Sequence, residues 1–216
     1  NDDVDVTQYL ISEKYDGVRA IWDGNILITR QGNPIVAPQW FTAHFPKSPL
    51  DGELWIARDA FDQVSGIVRK QEPIDADWRK VNYLVFELPN GEGGFSKRYQ
   101  TLNRIIVKAN VKHLKAVKQF KVRNKAQLKQ KMADVVALGG EGLMLHRANA
   151  LYETGRSDVL LKLKPYFDAE AKVIAHLPGK GKYTGKMGSL LVELPNGVQF
   201  KLGTGFTDAE RENPPA

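Results

Sequence analysis

Apolar and polar residues alternate over short runs in the first half of the chain, and the runs break at Asp-Gly, Gly-Asn and proline. "AIWDGNILITRQGNPIV" (20–36) is such a stretch. Its β-branched and aromatic runs, set between turn dipeptides, predict a meander of antiparallel strands. "PLDGELWIA" (49–57) and "VNYLVFELP" (81–89) predict two further strands, each bounded by turn residues or proline. The period then lengthens. "YQTLNRIIVKAN" (99–110) and "NKAQLKQKMADVVALG" (124–139) carry apolar residues at helical spacing, with Gly139 as the stop of the second helix. "EGLMLH" (141–146) and "VLLKLKP" (159–165) return to strand.

After Pro165 the texture changes. "AEAKVIAHLPGKGKYTGKMGSLLVELPNGVQFKLGTGF" (169–206) predicts three or more short strands separated by glycine-rich turns, the pattern of a small barrel of the oligonucleotide-binding type. A boundary near Tyr166, with "PYFD" as linker, divides the 216 residues into 1–165 and 166–216. Neither internal repeats nor low-complexity tracts interrupt this plan.

Charge sharpens the picture. The net value of +6 favours an anionic partner such as nucleic acid. The distribution says more: from Gly93 to Ala133 there are twelve basic residues and no acidic one, so the remainder sums to −6. From Asp168 onward acidic and basic residues balance at six each, which puts the whole surplus in the first part. A run of charge is also what a solvated helix face looks like. The chain has no cysteine, which excludes a disulfide framework and any Cys-ligated metal. No apolar run approaches ~18 residues, so no membrane partner is expected. His44, His113, His146 and His176 lack paired spacing, and zinc is not expected either.

"SEKYDGVR" (12–19) carries the most pointed chemistry. Lys14 reads as a surface charge or as a nucleophile. The second role meets a protonation barrier, since the unperturbed lysine pKa is about 10.4; neighbouring cations, a metal ion or burial lower it. Arg19, Arg30 in "TRQGN", and Lys162 and Lys164 in "LKLK" are candidate cations. The last two are spaced by two and so share a strand face. Glu53 in "LDGELW" and Glu141 in "GGEGLML" offer the hard oxygen ligands that magnesium takes beside polyphosphates. Taken singly, each is more often a surface carboxylate, and Phe86 in "YLVFEL" is most economically a core aromatic. "PGKGKYTGK" fails as a phosphate-binding P-loop, because Gly179 and Gly185 are six apart and Met187 follows Lys186. Lys180, Lys182 and Lys186 on that glycine turn suit contact with a phosphate backbone, and a plain exposed hairpin accounts for them equally well.

The order of these segments outweighs each alone. "EKYDGVR", "TRQGN", "LDGELW", "YLVFEL", "EGLML" and "LLKLKP" follow one another as in the covalent nucleotidyltransferases, and the chain resembles the minimal bacterial ATP-dependent DNA ligases of the Lig E type over nearly its whole length. The resemblance implies an α+β fold, with a nucleotidyltransferase domain of the DNA ligase and mRNA capping enzyme kind followed by an OB-fold barrel. It implies ATP as cofactor, Mg2+ (with Mn2+ as a substitute), a monomer, and nicked duplex DNA as partner. Lys14 would take AMP from ATP, pass it to a nick 5′-phosphate, and the 3′-hydroxyl would then displace it. Carried over by motif, Ser12, Asp16, Arg19, Glu53, Phe86, Lys162 and Lys164 bind nucleotide, with Phe86 stacking on adenine and the two lysines neutralising the α-phosphate. Glu141 and Glu53 would hold metal. Arg30, Arg156, Lys180, Lys182 and Lys186 would contact DNA, and Asp168 would be an interdomain hinge. RNA ligases and capping guanylyltransferases are the rival enzymes; a non-catalytic nucleic-acid binder is the rival outside that class.

Two departures from the family pattern are expected to matter. Glu87 follows Phe86 where the family has aspartate. The family also continues past "ENPPA" into further barrel strands and a basic motif, so the second domain is expected to be incomplete at its C-terminus. Relatives of this minimal type commonly carry leaders, which makes the periplasm of a Gram-negative bacterium the expected location and the cytoplasm the alternative.

Overall fold

Strands of alternating burial assemble into two sheets in the first part of the molecule. The computed structural model describes residues 4–153, 158–165 and 169–214. Two units are distinguished, Asn1–Pro165 and Tyr166–Ala216. In the first unit the strands are β1 (Tyr9–Glu13), β2 (Val18–Trp22), β3 (Leu27–Thr29), β4 (Pro34–Ile35), β5 (Leu50–Trp55), β6 (Asn82–Glu87), β7 (Leu114–Ala116), β8 (Leu143–Arg147) and β9 (Leu160–Leu163). Six of them form one sheet in the order β4-β3-β2-β5-β6-β7, antiparallel except for the β6–β7 pair. The other three form a smaller antiparallel sheet, β1-β8-β9. The helices are α1 (Gln39–Thr42), α2 (Phe61–Val68), α3 (Asp75–Trp78), α4 (Phe95–Ala109) and α5 (Lys125–Ala137).

The meander expected over 20–36 is β2-β3-β4, and its pairing Ala20↔Thr29 to Trp22↔Leu27 follows from the tight turn at Asp23–Gly24. Ala20, Trp22, Leu50, Leu54, Tyr83 and Val85 turn one face of the large sheet into a core covered by aromatic and aliphatic side chains of α1, α2, α3 and α4. Tyr83 is fully buried and its hydroxyl lies 2.9 and 3.0 Å from the carbonyls of Ala20 and Leu50, so it tethers three strands at once. The small sheet has its own core, in which Ile11, Leu143 and Leu145 meet Leu128 of α5. Asn124 caps the start of α5 by accepting from Gln127 N–H at 2.9 Å. At its end, Gly139 N–H and Gly140 N–H donate to Val136 and Val135 carbonyls (2.9 and 2.8 Å), the paired bonds of a Schellman stop. β1, α1, α2, α3 and the parallel strand β7 are elements that apolar patterning left unread.

A buried ion pair joins the two sheets. Arg98 of α4 donates to both oxygens of Glu87 at the end of β6 (2.8 Å each), to the Gly93 carbonyl (2.6 Å) and to the Ala150 carbonyl beyond β8 (2.9 Å). Both side chains are all but inaccessible, at 0% and 3% exposure. His146 of β8 stacks on Phe95 at 3.6 Å and brings its Nε2 within 3.6 Å of Glu87. Burial pushes the His146 pKa down to about 4, so the ring is neutral at pH 7.

The second unit contributes β10 (Lys172–Pro178), β11 (Met187–Glu193), β12 (Gln199–Leu202) and α6 (Asp208–Glu212). The three strands form an antiparallel sheet in chain order. Met187, Leu190 and Val192 make its small core. Phe200 and Leu202 pair with Val192 and Leu190, and so share that face. They remain 43% and 40% exposed, since β12 is the edge among the described strands. Arg211 of α6 is buried and donates to the carbonyls of Met187, Gly188 and Gly203 (3.1, 2.7 and 2.9 Å). Its guanidinium lies 4.3 Å from the Tyr183 ring centre, which fastens the lysine-rich turn to the sheet. Among the described residues no helix is long and apolar enough to cross a membrane.

Arg98→Ala leaves the Glu87 carboxylate buried without its partner, and a loss of about 3–5 kcal/mol is expected from such a change. Urea unfolding followed by circular dichroism measures it; a loss below about 1 kcal/mol would show that the sheets are held together by other contacts.

Candidate active site

Lys14 is the first residue beyond β1, and its backbone N–H donates to the Gly142 carbonyl at 2.8 Å. The turn that follows lies directly on β5. A Cβ at Gly17 would sit 2.4 Å from the Leu54 carbonyl oxygen and 2.9 Å from Glu53 Cγ, so only glycine permits this approach. Gly142 is constrained likewise: its φ is +147°, and a Cβ would fall 2.2 Å from the Leu163 carbonyl oxygen. The two glycines of "YDGVR" and "EGLML" therefore draw the ends of β1, β5 and β9 together around one spot.

At that spot Glu141 sits between two ammonium groups. Lys14 Nζ donates to one of its oxygens and Lys164 Nζ pairs with the other. Lys14 and Glu141 are mostly buried, at 19% and 22% exposure, while Lys164 is half exposed. Burial alone would push the Glu141 carboxyl up, but hydrogen bonds and charge from Lys14 and Lys164 outweigh it and hold the group below the usual carboxylate range.

Facing this cluster, on the large sheet, Arg19 of β2 grips Asp51 of β5 with two bonds, Nε–Oδ1 at 3.0 Å and Nη2–Oδ2 at 2.6 Å. Asp51 is 1% exposed, and burial raises its pKa despite the arginine. The Arg19 guanidinium carbon lies 5.7 Å from the centre of the half-buried Phe86 ring. Glu53 lies opposite Arg19 across the β2–β5 ladder. Burial pushes its carboxyl up to about 7, against the pull of Lys14 and Arg19. Next to Lys14 opens a cleft of about 150 Å³ whose walls include Tyr15, Asp16, Trp55 and Glu141.

The structure thus brings Lys14, Glu53, Arg19, Phe86, Glu141 and Lys164 into one region. Asp16 lines the cleft and is exposed. Ser12 is buried in β1, opposite Met144, and Lys162 faces Met144 from the other side and is exposed. Arg30 is exposed in the turn after β3. In the second unit Lys180 is exposed, Lys182 Nζ sits 4.5 Å from the Tyr183 ring centre, and Lys186 is paired with Glu212. Arg156 and Asp168 lie outside the described residues, as does the linker segment from Tyr166. Asp51 went unread in the sequence, although its spacing of two from Glu53 on a strand was the available signal.

The arrangement suits a nucleotide polyphosphate: cations for phosphates, an accessible aromatic plate for a base, and carboxylates for ribose or metal. Comparisons with known proteins agree. Residues 3–164 match the family model of the ATP-dependent DNA ligase domain, and residues 178–216 match the DNA ligase OB-like domain. A DNA ligase from Haemophilus influenzae is 38% identical over 207 residues, covering 96% of this chain and 76% of that protein. A solved Lig E DNA ligase, from a structure–function study of DNA binding with a minimal scaffold, is 48% identical with a TM-score of 0.90, covering 100% of this chain and 84% of that one. The adenylated DNA ligase of Chlorella virus is 25% identical with a TM-score of 0.65, covering 98% and 81%.

Glu53 generates a pH test. Its folded-state pKa of about 7 exceeds the 4.5 of the free side chain, so the folded state binds the extra proton between these values. Ionising the buried group therefore costs stability as pH rises through this window, and the cost is absent below it. Glu53→Gln is expected to unfold at higher denaturant than the parent at pH 8, with an advantage of up to about 3 kcal/mol. The advantage should shrink toward zero near pH 4.5; equal shifts at both pH values would mean that Glu53 is not desolvated.

Proposed function

This chain belongs to the family of ATP-dependent DNA ligases, whose members seal nicks through a lysine–AMP intermediate, and we propose that Lys14 is the lysine adenylated here. The observation that carries the assignment is the ion-paired triplet Lys14–Glu141–Lys164, placed where the glycine turns bring three strand ends together. Lys14 as free amine attacks the α-phosphorus of ATP. A P–N bond forms, the bond to the bridging oxygen breaks, its electron pair leaves with pyrophosphate, and the proton shed by the nitrogen passes to solvent. Lys164 and Lys162 neutralise charge on the α-phosphate. Phe86 stacks on adenine, and Arg19 and Glu53 hold the ribose. Positioning and charge neutralisation supply most of the catalysis in such transfers. The AMP then passes to the 5′-phosphate of a nick in duplex DNA, and the 3′-hydroxyl displaces it.

The fold family implies a divalent cation. Among the described residues there is no cluster of three or more potential ligands, so the protein offers one or two carboxylates and leaves the rest to phosphate and water. That donor set fits Mg2+, with Mn2+ as a substitute. Glu141, and Glu53 when ionised, would hold it, and when bound it neutralises phosphate charge.

Arg30, Lys180, Lys182 and Lys186 are proposed contacts to the DNA backbone, together with the exposed basic residues between Lys97 and Lys131, the buried Arg98 excepted. Exposure of Arg30 and Lys180 and the anchoring of the lysine turn by Arg211 support this reading.

Intact mass after incubation with ATP and magnesium tests the nucleophile. A gain of one AMP by the native chain and none by Lys14→Ala is the expected result; labelling of both would move the nucleophile elsewhere. GTP in place of ATP should leave the mass unchanged, whereas labelling by GTP would favour a capping-type activity. For DNA, the double substitution Lys180→Ala with Lys182→Ala should lower the slope of log K against log salt by about 2, or about 0.9 per phosphate contact. An unchanged slope removes both lysines from the interface.

A further inference from the structure

Arg58 has no part in the chemistry above, yet it touches both segments that carry it. It lies three residues past the end of β5 and donates to both oxygens of Glu13, Nε–Oε1 and Nη2–Oε2 at 2.9 Å each. A third bond runs from Nη1 to the Leu138 carbonyl at 3.1 Å. Glu13 is covalently next to Lys14. Leu138 caps α5 and stands three residues before Glu141, across a turn whose Gly139 and Gly140 amides are committed to the helix end. That turn has little slack, since a Cβ on Gly140 would lie 2.4 Å from Val135 Cγ1 and 3.1 Å from Glu13 Oε1. On the other side of Lys14, Tyr15 packs edge-on against Trp55 with ring centres 5.2 Å apart. The nucleophile is therefore bracketed on both sides by the segment that ends β5.

We propose that Arg58 is a positioning residue for adenyl transfer: by fastening Glu13 to the C-terminal end of α5, it sets the Lys14 amine against Glu141. The proposal rests on Lys14 being the nucleophile. A lysine side chain is long and flexible, so an ammonium at its tip is placed no better than the backbone that carries it. Misplacement of a reacting group by about 1 Å can cost on the order of 100-fold in rate. An exposed ion pair would be a poor device for this purpose, because solvent and side-chain entropy cancel most of its value. Here the carboxylate is only 17% exposed and the planar guanidinium reaches three acceptors on two separate segments. A lysine at this position keeps the charge but loses the fork.

The test is single-turnover formation of lysine–AMP by the full chain, with α-labelled ATP, alongside thermal melting. Arg58→Gln should slow adenylation at saturating ATP by about tenfold or more, with the half-saturating ATP concentration little changed. Arg58→Lys should stay slow. The double variant Glu13→Gln with Arg58→Gln should be no slower than the worse single variant, because both changes cut the same link. All rates are compared well below each variant's melting transition, which removes lost folding from the comparison. Normal-rate adenylation by Arg58→Gln overturns the positioning role, as does rescue by lysine or a strictly additive double variant. A parent chain that forms no lysine–AMP overturns the nucleophile assignment itself, a result distinct from the others.

Discussion

The buried Arg98–Glu87 pair is the constraint on which the site depends. The candidate site draws Arg19, Glu53 and Phe86 from the large sheet and Lys14, Glu141 and Lys164 from the small one or its loops. Nothing in either sheet alone sets the distance between these two sets. Arg98 fixes one side of that gap by holding the end of β6 and the segment after β8 with one guanidinium, while Gly17 against Leu54 and Arg58 on Glu13 close the other. Glu87 and Phe86 are successive residues of one strand, so the carboxylate turns inward to Arg98 while the ring turns to the other face. A buried pair of this kind adds little net stability compared with an apolar one. Its value is directional: two forked bonds and two carbonyls admit one arrangement of the sheets.

The site is electrically self-contained in the free protein. Glu141 neutralises parts of Lys14 and Lys164, and Asp51 neutralises Arg19. These carboxylates supply the counter-charge, which explains how a cluster of positive charge can persist partly buried. Glu53 stands between the two pairs without an arginine or lysine of its own at hydrogen-bonding distance among the described residues, and its carboxyl is correspondingly the most strongly raised of the site.

Much of this was legible in the residues. The β2-β3-β4 meander, β5, β6 and both long helices follow from alternation, helical spacing and turn chemistry. β1 did not, because its five residues are read against an adjoining charged turn, and a short half-buried strand shows no period of its own. The parallel strand β7 has three residues and exists only because β6 offers an edge. Within the site, motif order grouped residues up to 150 positions apart in sequence, Lys14 and Lys164 among them. Side-chain partnerships were out of reach. That Arg19 would be claimed by Asp51, and Glu13 by Arg58, depends on strand register and on a loop packed by tertiary contact.

The Lys186–Glu212 pair has a thermodynamic corollary for the second unit. A lysine in bulk solution keeps mobile anions nearby, and a polyanion that binds it sets them free. Lys186 already has a covalently tethered anion in α6. A DNA phosphate that engages it competes with a carboxylate that stays on the same molecule at high effective concentration. To that extent the exchange trades one ion pair for another. On this turn, lysines of the same formal charge are unequal in worth: one is open to an arriving strand, and another is defended by an internal competitor.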